Sequence, residues 1–106
     1  MVRSDEIYEY LLADGQQHCS FAAIAEEIRS RCFTVNGFAK GWAMTGWRLG
    51  YLAGDAAVIK AASALQSQST SNVCSFAQRG ALAAIEAPRD CAVSYTHLTL
   101  PTKRIV

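Results

Sequence analysis

The segment Asn36-Gly37-Phe38-Ala39-Lys40-Gly41-Trp42-Ala43-Met44-Thr45-Gly46-Trp47-Arg48-Leu49-Gly50-Tyr51 is the most informative part of this chain. It sets one lysine, Lys40, among small residues, and it carries an arginine, Arg48, between Gly46 and Gly50. Small residues let a backbone approach a bound group closely, and a lysine together with an arginine can hold phosphate. Binding of an anionic group is thus one interpretation of the segment, although it lacks the GxxxxGK[ST] spacing of a phosphate-binding loop.

A second motif, Ser4-Asp5-Glu6-Ile7-Tyr8-Glu9, lies upstream of the lysine segment. In their order and separation, the two motifs resemble those of class I pyridoxal-phosphate aminotransferases of fold type I. The branch that they resemble most holds bacterial aspartate, aromatic and prephenate aminotransferases, and the resemblance extends over about residues 1 to 90. It implies transfer of an amino group between an amino acid, aspartate or an aromatic one, and a 2-oxo acid such as 2-oxoglutarate.

The resemblance assigns roles to four side chains. Lys40 is implied to carry pyridoxal phosphate as a Schiff base and to move the substrate proton, which needs a primary amine able to lose its own proton. Asp5 is implied to hold the protonated ring nitrogen of the cofactor through a charge-assisted hydrogen bond. Tyr8 is implied to donate to the ring oxygen, and Arg48 to bind the phosphate through its planar guanidinium. We therefore expect Lys40 to be catalytic, and all four residues to bind the cofactor.

Two positions of the lysine segment depart from many members of this family. Where those relatives carry hydroxyl residues, this chain has Gly37 and Ala39. One or two hydroxyl contacts to phosphate are therefore missing. The departure affects the expected affinity for phosphate and leaves the role of Lys40 in place.

Ordinary structural interpretations exist for the same residues. Asp5 and Tyr8 at this spacing are typical of a solvated turn, Lys40 of a protein surface, and Arg48 of an edge strand. The combination of both motifs favours the enzyme. Two other functions stay open: a pyridoxal-phosphate-dependent carbon–sulfur lyase, which shares the lysine and the aspartate, and a non-catalytic α/β module that binds an anion or a protein partner.

Hydrophobic periodicity and turn residues predict an α/β order of elements, which in this family forms the centre of a sandwich built on a mostly parallel sheet. Gly80 among alanines indicates close helix packing, and Trp42 and Trp47 are predicted to be core or interface aromatics. The resemblance implies a strand ending at Asp5. The segments predicted after it are a turn or short helix over 7–12, a helix capped by Ser20, strands over 32–35 and 47–52, a helix capped by Asp55, a polar break over 67–72, and a helix from Val73 that stops before Pro88.

Members of the family are several times longer than these 106 residues. We therefore expect residues 1–92 to be the central part of the pyridoxal-phosphate-binding large domain, truncated at both ends, and residues 93–106 to be a non-native tail that resembles a translated sequencing adapter. His97 consequently receives no role. Because other parts of the family's active site lie outside this segment, we expect the isolated chain to lack transaminase activity.

Composition agrees with a piece of a cytoplasmic enzyme. Hydrophobic residues make up 51% of the chain and the formal net charge is +1, which favours neither disorder nor nucleic-acid binding. No apolar run approaches the roughly 20 residues needed to cross a membrane. The four cysteines lack CxxC spacing, which predicts free thiols rather than a metal site or disulfides. His18 is predicted to be a loop histidine, and the resemblance implies a homodimer.

Overall fold

Three strands form the centre of the fold in the computed structural model, which describes residues 1–13 and 15–88. Their order in the sheet is β1 (Val2–Asp5), β2 (Cys32–Gly37), β3 (Gly50–Ala53). β1 and β2 are parallel, from Val2 opposite Cys32 to Asp5 opposite Val35. β2 and β3 are antiparallel, with Gly37 opposite Gly50. The described sheet is therefore mixed, with one parallel and one antiparallel pair.

The connection from β1 to β2 is mostly irregular. It holds one 3₁₀ turn, Phe21–Ala23, and a short helix α1, Glu26–Arg29. The prediction of one helix capped by Ser20 is wrong, because Ala25 is fully extended (φ −158°, ψ 153°) and interrupts it. Ser20 makes no side-chain cap; its hydroxyl donates instead to the carboxylate of Glu6.

The predicted strands around the lysine segment are shifted. β2 runs through Asn36 and Gly37 rather than ending before them. β3 begins only at Gly50, since Thr45–Trp47 forms a 3₁₀ turn and Arg48 is left-handed, with φ 54° and ψ 48°. A strand cannot pass through a left-handed residue, so the predicted strand over 47–52 starts three residues late.

Two helices complete the described chain, α2 (Ala56–Ser69) and α3 (Ser75–Glu86). The predicted cap of α2 is confirmed: Oδ1 of Asp55 accepts hydrogen bonds from the backbone N–H groups of Ala57 and Val58, at 3.0 and 3.2 Å. α2 runs into the predicted polar break and ends at Ser69. α3 ends before Pro88, as predicted, because proline cannot continue the hydrogen-bond ladder.

The buried core lies between the loop after β2 and helix α3. Its members are Phe38, Met44, Leu49, Ala77 and Ala81. The small residues of α3 let the loop approach closely. The same face holds Gly80, whose backbone packs against the ring of Trp47, which confirms the close packing predicted there.

Residues 1–13 and 15–88 contain neither a candidate membrane span nor a metal-binding cluster, and their cysteines are free. No helix in these ranges is long and apolar enough to span a membrane, and no group of three or more His, Cys, Asp or Glu side chains could hold a metal ion. Cys19, Cys32 and Cys74 are free thiols. Cys91 and the predicted tail over 93–106 lie outside the described residues.

A methyl group at position 37 should destabilise the fold, because a Cβ there would lie 2.7 Å from the carbonyl oxygen of Leu49. Backbone atoms cannot move aside cheaply, so Gly37→Ala should lower the free energy of unfolding by about 1–3 kcal/mol. Gly46→Ala is the matched control, since nothing lies within 4 Å of a Cβ at that glycine. Urea unfolding followed by circular dichroism measures both, and equal effects would contradict the proposed crowding.

Candidate functional site

The predicted site residues gather at one edge of the sheet. Because β1 and β2 are parallel, their carboxyl ends meet at the same edge. β1 ends at Asp5, and β2 ends at Gly37, just before the loop that carries Lys40. Ligands of open α/β sheets bind beyond the carboxyl ends of the strands. This edge is therefore the position in the described fold that suits a bound ligand.

The lysine loop, defined as residues 38–49, connects two antiparallel strands and is closed at its base. The backbone N–H of Phe38 donates to the carbonyl of Leu49 at 3.3 Å. The carbonyl of Phe38 in turn accepts from the N–H groups of Trp42 and Met44, at 3.3 and 3.2 Å. Lys40 consequently lies near the start of a closed hairpin loop, and Arg48 near its end.

Aromatic packing fixes the loop around Lys40. The indole N–H of Trp42 donates to the carbonyl of Ala84 in α3 at 3.1 Å. The ring of Tyr10 meets Trp42 edge to face, with 5.0 Å between the ring centroids. Tyr10 also covers Gly41, where a Cβ would lie 2.5 Å from its ring. The residue after Lys40 must therefore be glycine for this packing, which holds the lysine backbone in place.

Lys40 and Tyr8 are brought together by the fold. Nζ of Lys40 lies 5.7 Å from the centroid of the Tyr8 ring, within the range of a cation–π contact. Lys40 is half-buried, whereas Tyr8 is 57% exposed. The amine thus has a fixed aromatic neighbour on one side and an approach from solvent.

Asp5 occupies the same edge through the turn that follows β1. Its Oδ1 accepts a hydrogen bond from the backbone N–H of Ile7 at 3.3 Å, and its side chain is exposed. This is the geometry of an ordinary Asx turn. It also presents a carboxylate at the edge where Lys40 and Tyr8 meet.

Arg48 takes a different position from the other three predicted residues. Its guanidinium donates to the carbonyl of Thr45 at 3.0 Å and so folds onto its own loop. Its backbone is left-handed, an uncommon conformation for a residue other than glycine that is often found at functional sites. The predicted edge-strand alternative is wrong, because Arg48 precedes β3 and pairs with no strand.

A buried carboxylate, that of Glu6, lies directly beside Asp5, and the sequence did not predict a role for it. The Glu6 residue is 7% exposed, and its Oε1 accepts from the hydroxyls of Ser4 and Ser20 and from the N–H of Phe21, each at 3.0 Å. Nε2 of His18 lies 3.1 Å from Oε2. Burial by itself raises the pKa of Glu6, but the hydrogen bonds, that of His18 first, outweigh it and hold the pKa below its ordinary value.

A second polar contact joins the turn after β1 to the end of β2, just before the lysine loop. The buried side chain of Asn36 donates to Oε1 of Glu9 at 2.9 Å, and its Oδ1 accepts from the N–H of Gly37 at 2.7 Å.

The contacts of Glu6 have one local signal in the sequence. Ser4 and Glu6 are two residues apart, and side chains at this spacing share a face of an extended chain. His18 and Ser20 are too distant in sequence for any local pattern to have found them.

A cavity of about 310 Å³ near the loop is lined by the rings of Tyr10, Phe38, Trp42 and Tyr51, by Glu9, and by residues at the end of α3. None of the four predicted site residues lines it.

Comparison with known proteins identifies relatives of the described fold. Residues 1–99 match the family described as Aminotransferase class I and II. A probable aspartate/prephenate aminotransferase of Rickettsia conorii is 48% identical over 89 residues, which are 84% of this chain and 22% of that protein. The chain thus spans less than a quarter of the length of this relative.

Solved structures give the same result. The aspartate aminotransferase of Rhizobium meliloti superposes with a TM-score of 0.85 at 37% identity, over 90% of this chain and 24% of that one. The aromatic aminotransferase of Pyrococcus horikoshii OT3 superposes with a TM-score of 0.86 at 33% identity, over 98% and 28%. The predicted α/β fold of fold type I and the resemblance stated from the two motifs are confirmed.

Acid should weaken the fold through Glu6. Its pKa is lower in the folded chain than the ordinary 4.5, so its stabilising contribution is complete above pH 4.5 and is lost as the pH falls through the lower, folded value. Removing a partner with His18→Leu should raise the pKa of Glu6, as measured by ¹³C NMR of its carboxyl carbon. Gln17→Leu, at the neighbouring exposed position, should leave this pKa unchanged. An unaltered titration in His18→Leu would show that the contact does not stabilise the carboxylate.

Proposed function

The chain belongs to the class I and II aminotransferase family, and we propose that it supplies the cofactor lysine of a pyridoxal-phosphate-dependent enzyme that transfers amino groups. The observation that carries this proposal is the meeting of Lys40 and Tyr8, 5.7 Å from Nζ to the ring centroid, at the edge that also presents Asp5. Separate surface residues have no reason to converge on the carboxyl edge of a parallel strand pair. The convergence is what a site for this cofactor requires.

The side chains present fit pyridoxal phosphate by their chemistry. The cofactor offers an aldehyde, a basic ring nitrogen, a ring oxygen and a phosphate. Lys40, Asp5, Tyr8 and Arg48 offer an amine, a carboxylate, a phenol and a guanidinium, which pair with those groups in that order. The exposed carboxylate of Asp5 and the solvent-facing ring of Tyr8 leave this edge open to a ligand.

When bound, pyridoxal phosphate supplies the electron sink that stabilises negative charge on the substrate carbon. Lys40 would hold the cofactor through Nζ, and its amine, when free, would take a proton from the substrate carbon and return one as general base and acid. The closed loop and the Tyr10 packing on Gly41 keep the lysine backbone fixed during these steps.

The three other residues orient and tune the site. Asp5 would accept a hydrogen bond from the ring nitrogen of the cofactor and so keep it protonated. The hydroxyl of Tyr8 would donate to the ring oxygen. Arg48 would bind the phosphate, which requires its guanidinium to leave the carbonyl of Thr45.

The substrate class proposed is a dicarboxylic or aromatic amino acid with a 2-oxo acid as acceptor. Support comes from the relatives, which are named as aspartate/prephenate, aspartate and aromatic aminotransferases. We further propose a homodimer in the cytoplasm, as in the resemblance stated from the sequence.

Selective labelling of Lys40 tests the cofactor site in the chain itself. With pyridoxal phosphate followed by borohydride and peptide mapping, Lys40 should be modified in preference to Lys60, an exposed lysine on α2. Lys40→Ala should remove this adduct, and Lys60→Ala should leave it unchanged. Equal labelling of both lysines and the amino terminus would contradict a formed site.

Asp5 is tested where turnover can be measured, in a chimaera. The segment of the Rickettsia conorii relative that matches this chain is replaced by the corresponding residues of this chain. Asp5→Ala should retain bound cofactor but lower kcat by about 10²–10⁴-fold, because an unprotonated ring is a poor electron sink. Glu27→Ala, at an exposed position on α1, is the control. An Asp5→Ala rate equal to that of the parent chimaera would make Asp5 an ordinary turn residue.

A further inference from the structure

Glu6 differs from its neighbours in the motif by pointing inward. Asp5 is exposed and Tyr8 is 57% exposed, yet Glu6 between them is only 7% exposed. A buried carboxylate is costly unless hydrogen bonds replace the water that it loses. The charge of Glu6 therefore requires a structural reason.

That reason is a set of four partners from two parts of the chain. Ser4 belongs to β1, whereas His18, Ser20 and Phe21 lie midway along the irregular connection to β2. Three of the partners converge on the single oxygen Oε1. An ionised carboxylate oxygen has the acceptor capacity and charge for such a cluster, while a neutral amide has less.

The backbone of Glu6 is held by hydrogen bonds, as its side chain is. Its N–H donates to the carbonyl of Val35 in β2 at 2.9 Å, and its carbonyl accepts from the N–H of Glu9 at 3.0 Å. The residue thus joins β1, β2, the turn after β1 and the segment over 18–21. Asp5 precedes this junction directly, and Tyr8 lies inside the turn that the Glu9 bond closes.

We propose that Glu6 is a positioning residue, whose buried carboxylate clamps the turn after β1 to residues 18–21 and thereby fixes where Asp5 and Tyr8 meet the cofactor. This inference rests on the proposed function for the roles of Asp5 and Tyr8. Glu6 itself touches neither substrate nor cofactor and acts through its two neighbours.

The test compares Glu6→Gln, nearly isosteric but neutral, with Glu86→Gln, an exposed glutamate at the end of α3, in the full 106-residue chain. The first readout is the NMR shift of the ε-methylene protons of Lys40, which depends on the ring current of Tyr8 and so reports the position of that ring. The second is the dissociation constant for pyridoxal phosphate, measured by equilibrium dialysis before reduction.

Glu6→Gln should move the ε-methylene resonance of Lys40 and weaken pyridoxal-phosphate binding by about tenfold, the effect of losing one charged hydrogen bond. The pH profile of this resonance provides a readout that a merely structural anchor would not move. In the wild type it should contain the titration of Glu6, and in Glu6→Gln that step should be absent. Glu86→Gln should match the wild type in every measurement.

A Lys40 ε-methylene resonance and a dissociation constant that stay at wild-type values in Glu6→Gln would overturn the proposal. If the wild type shows no selective labelling of Lys40, the proposed function fails, and the Lys40 resonance alone then decides whether Glu6 positions Tyr8. If circular dichroism shows that Glu6→Gln is unfolded, Ser20→Ala decides the question, because it removes one hydrogen bond to Oε1. A smaller shift of the Lys40 resonance in the same sense supports the clamp, and none refutes it.

Discussion

The parallel pairing of β1 with β2 is the constraint on which the rest of this structure depends. It brings the end of β1, with Asp5, beside the end of β2, where the lysine loop begins. A parallel pair cannot be joined by a tight turn, so a long connection must cross from one end of the sheet to the other. That connection is largely irregular here, and it is attached to the sheet through the buried carboxylate of Glu6. Parallel geometry thus creates both the site and the need for a fastening beside it.

How much the sequence predicts depends on whether the cause of a feature is local. The cap at Asp55 was predicted because the acceptor and its donors are two and three residues apart. The predicted cap at Ser20 was wrong because its hydroxyl donates to Glu6, which is far away in sequence. The predicted start of β3 was wrong because the backbone of Arg48 is left-handed, a conformation that an arginine does not signal in the sequence.

The same division applies to the candidate site. The motifs single out Lys40, Asp5 and Tyr8, and the structure gathers them at one edge. The supporting contacts were invisible in the sequence. Tyr10 over Gly41 and Asn36 against Glu9 exist only because tertiary packing brings distant segments together. Chemistry-bearing residues leave a signature in sequence, whereas the residues that hold them are recognised by their neighbours in space.

Two tryptophans give the lysine loop a built-in optical reporter. Trp42 is half-buried, bonded through its indole N–H to α3 and in contact with the rings of Tyr10 and Phe38. Trp47 is 50% exposed, and its ring packs against the backbone of Gly80. The fluorescence of the half-buried Trp42 is therefore sensitive to the ring packing beside Lys40. The fluorescence of the more exposed Trp47 is sensitive to the contact between the loop and α3. Loosening of the loop would expose Trp42 and shift its emission to longer wavelength, so the state of the loop can be followed by fluorescence without any label.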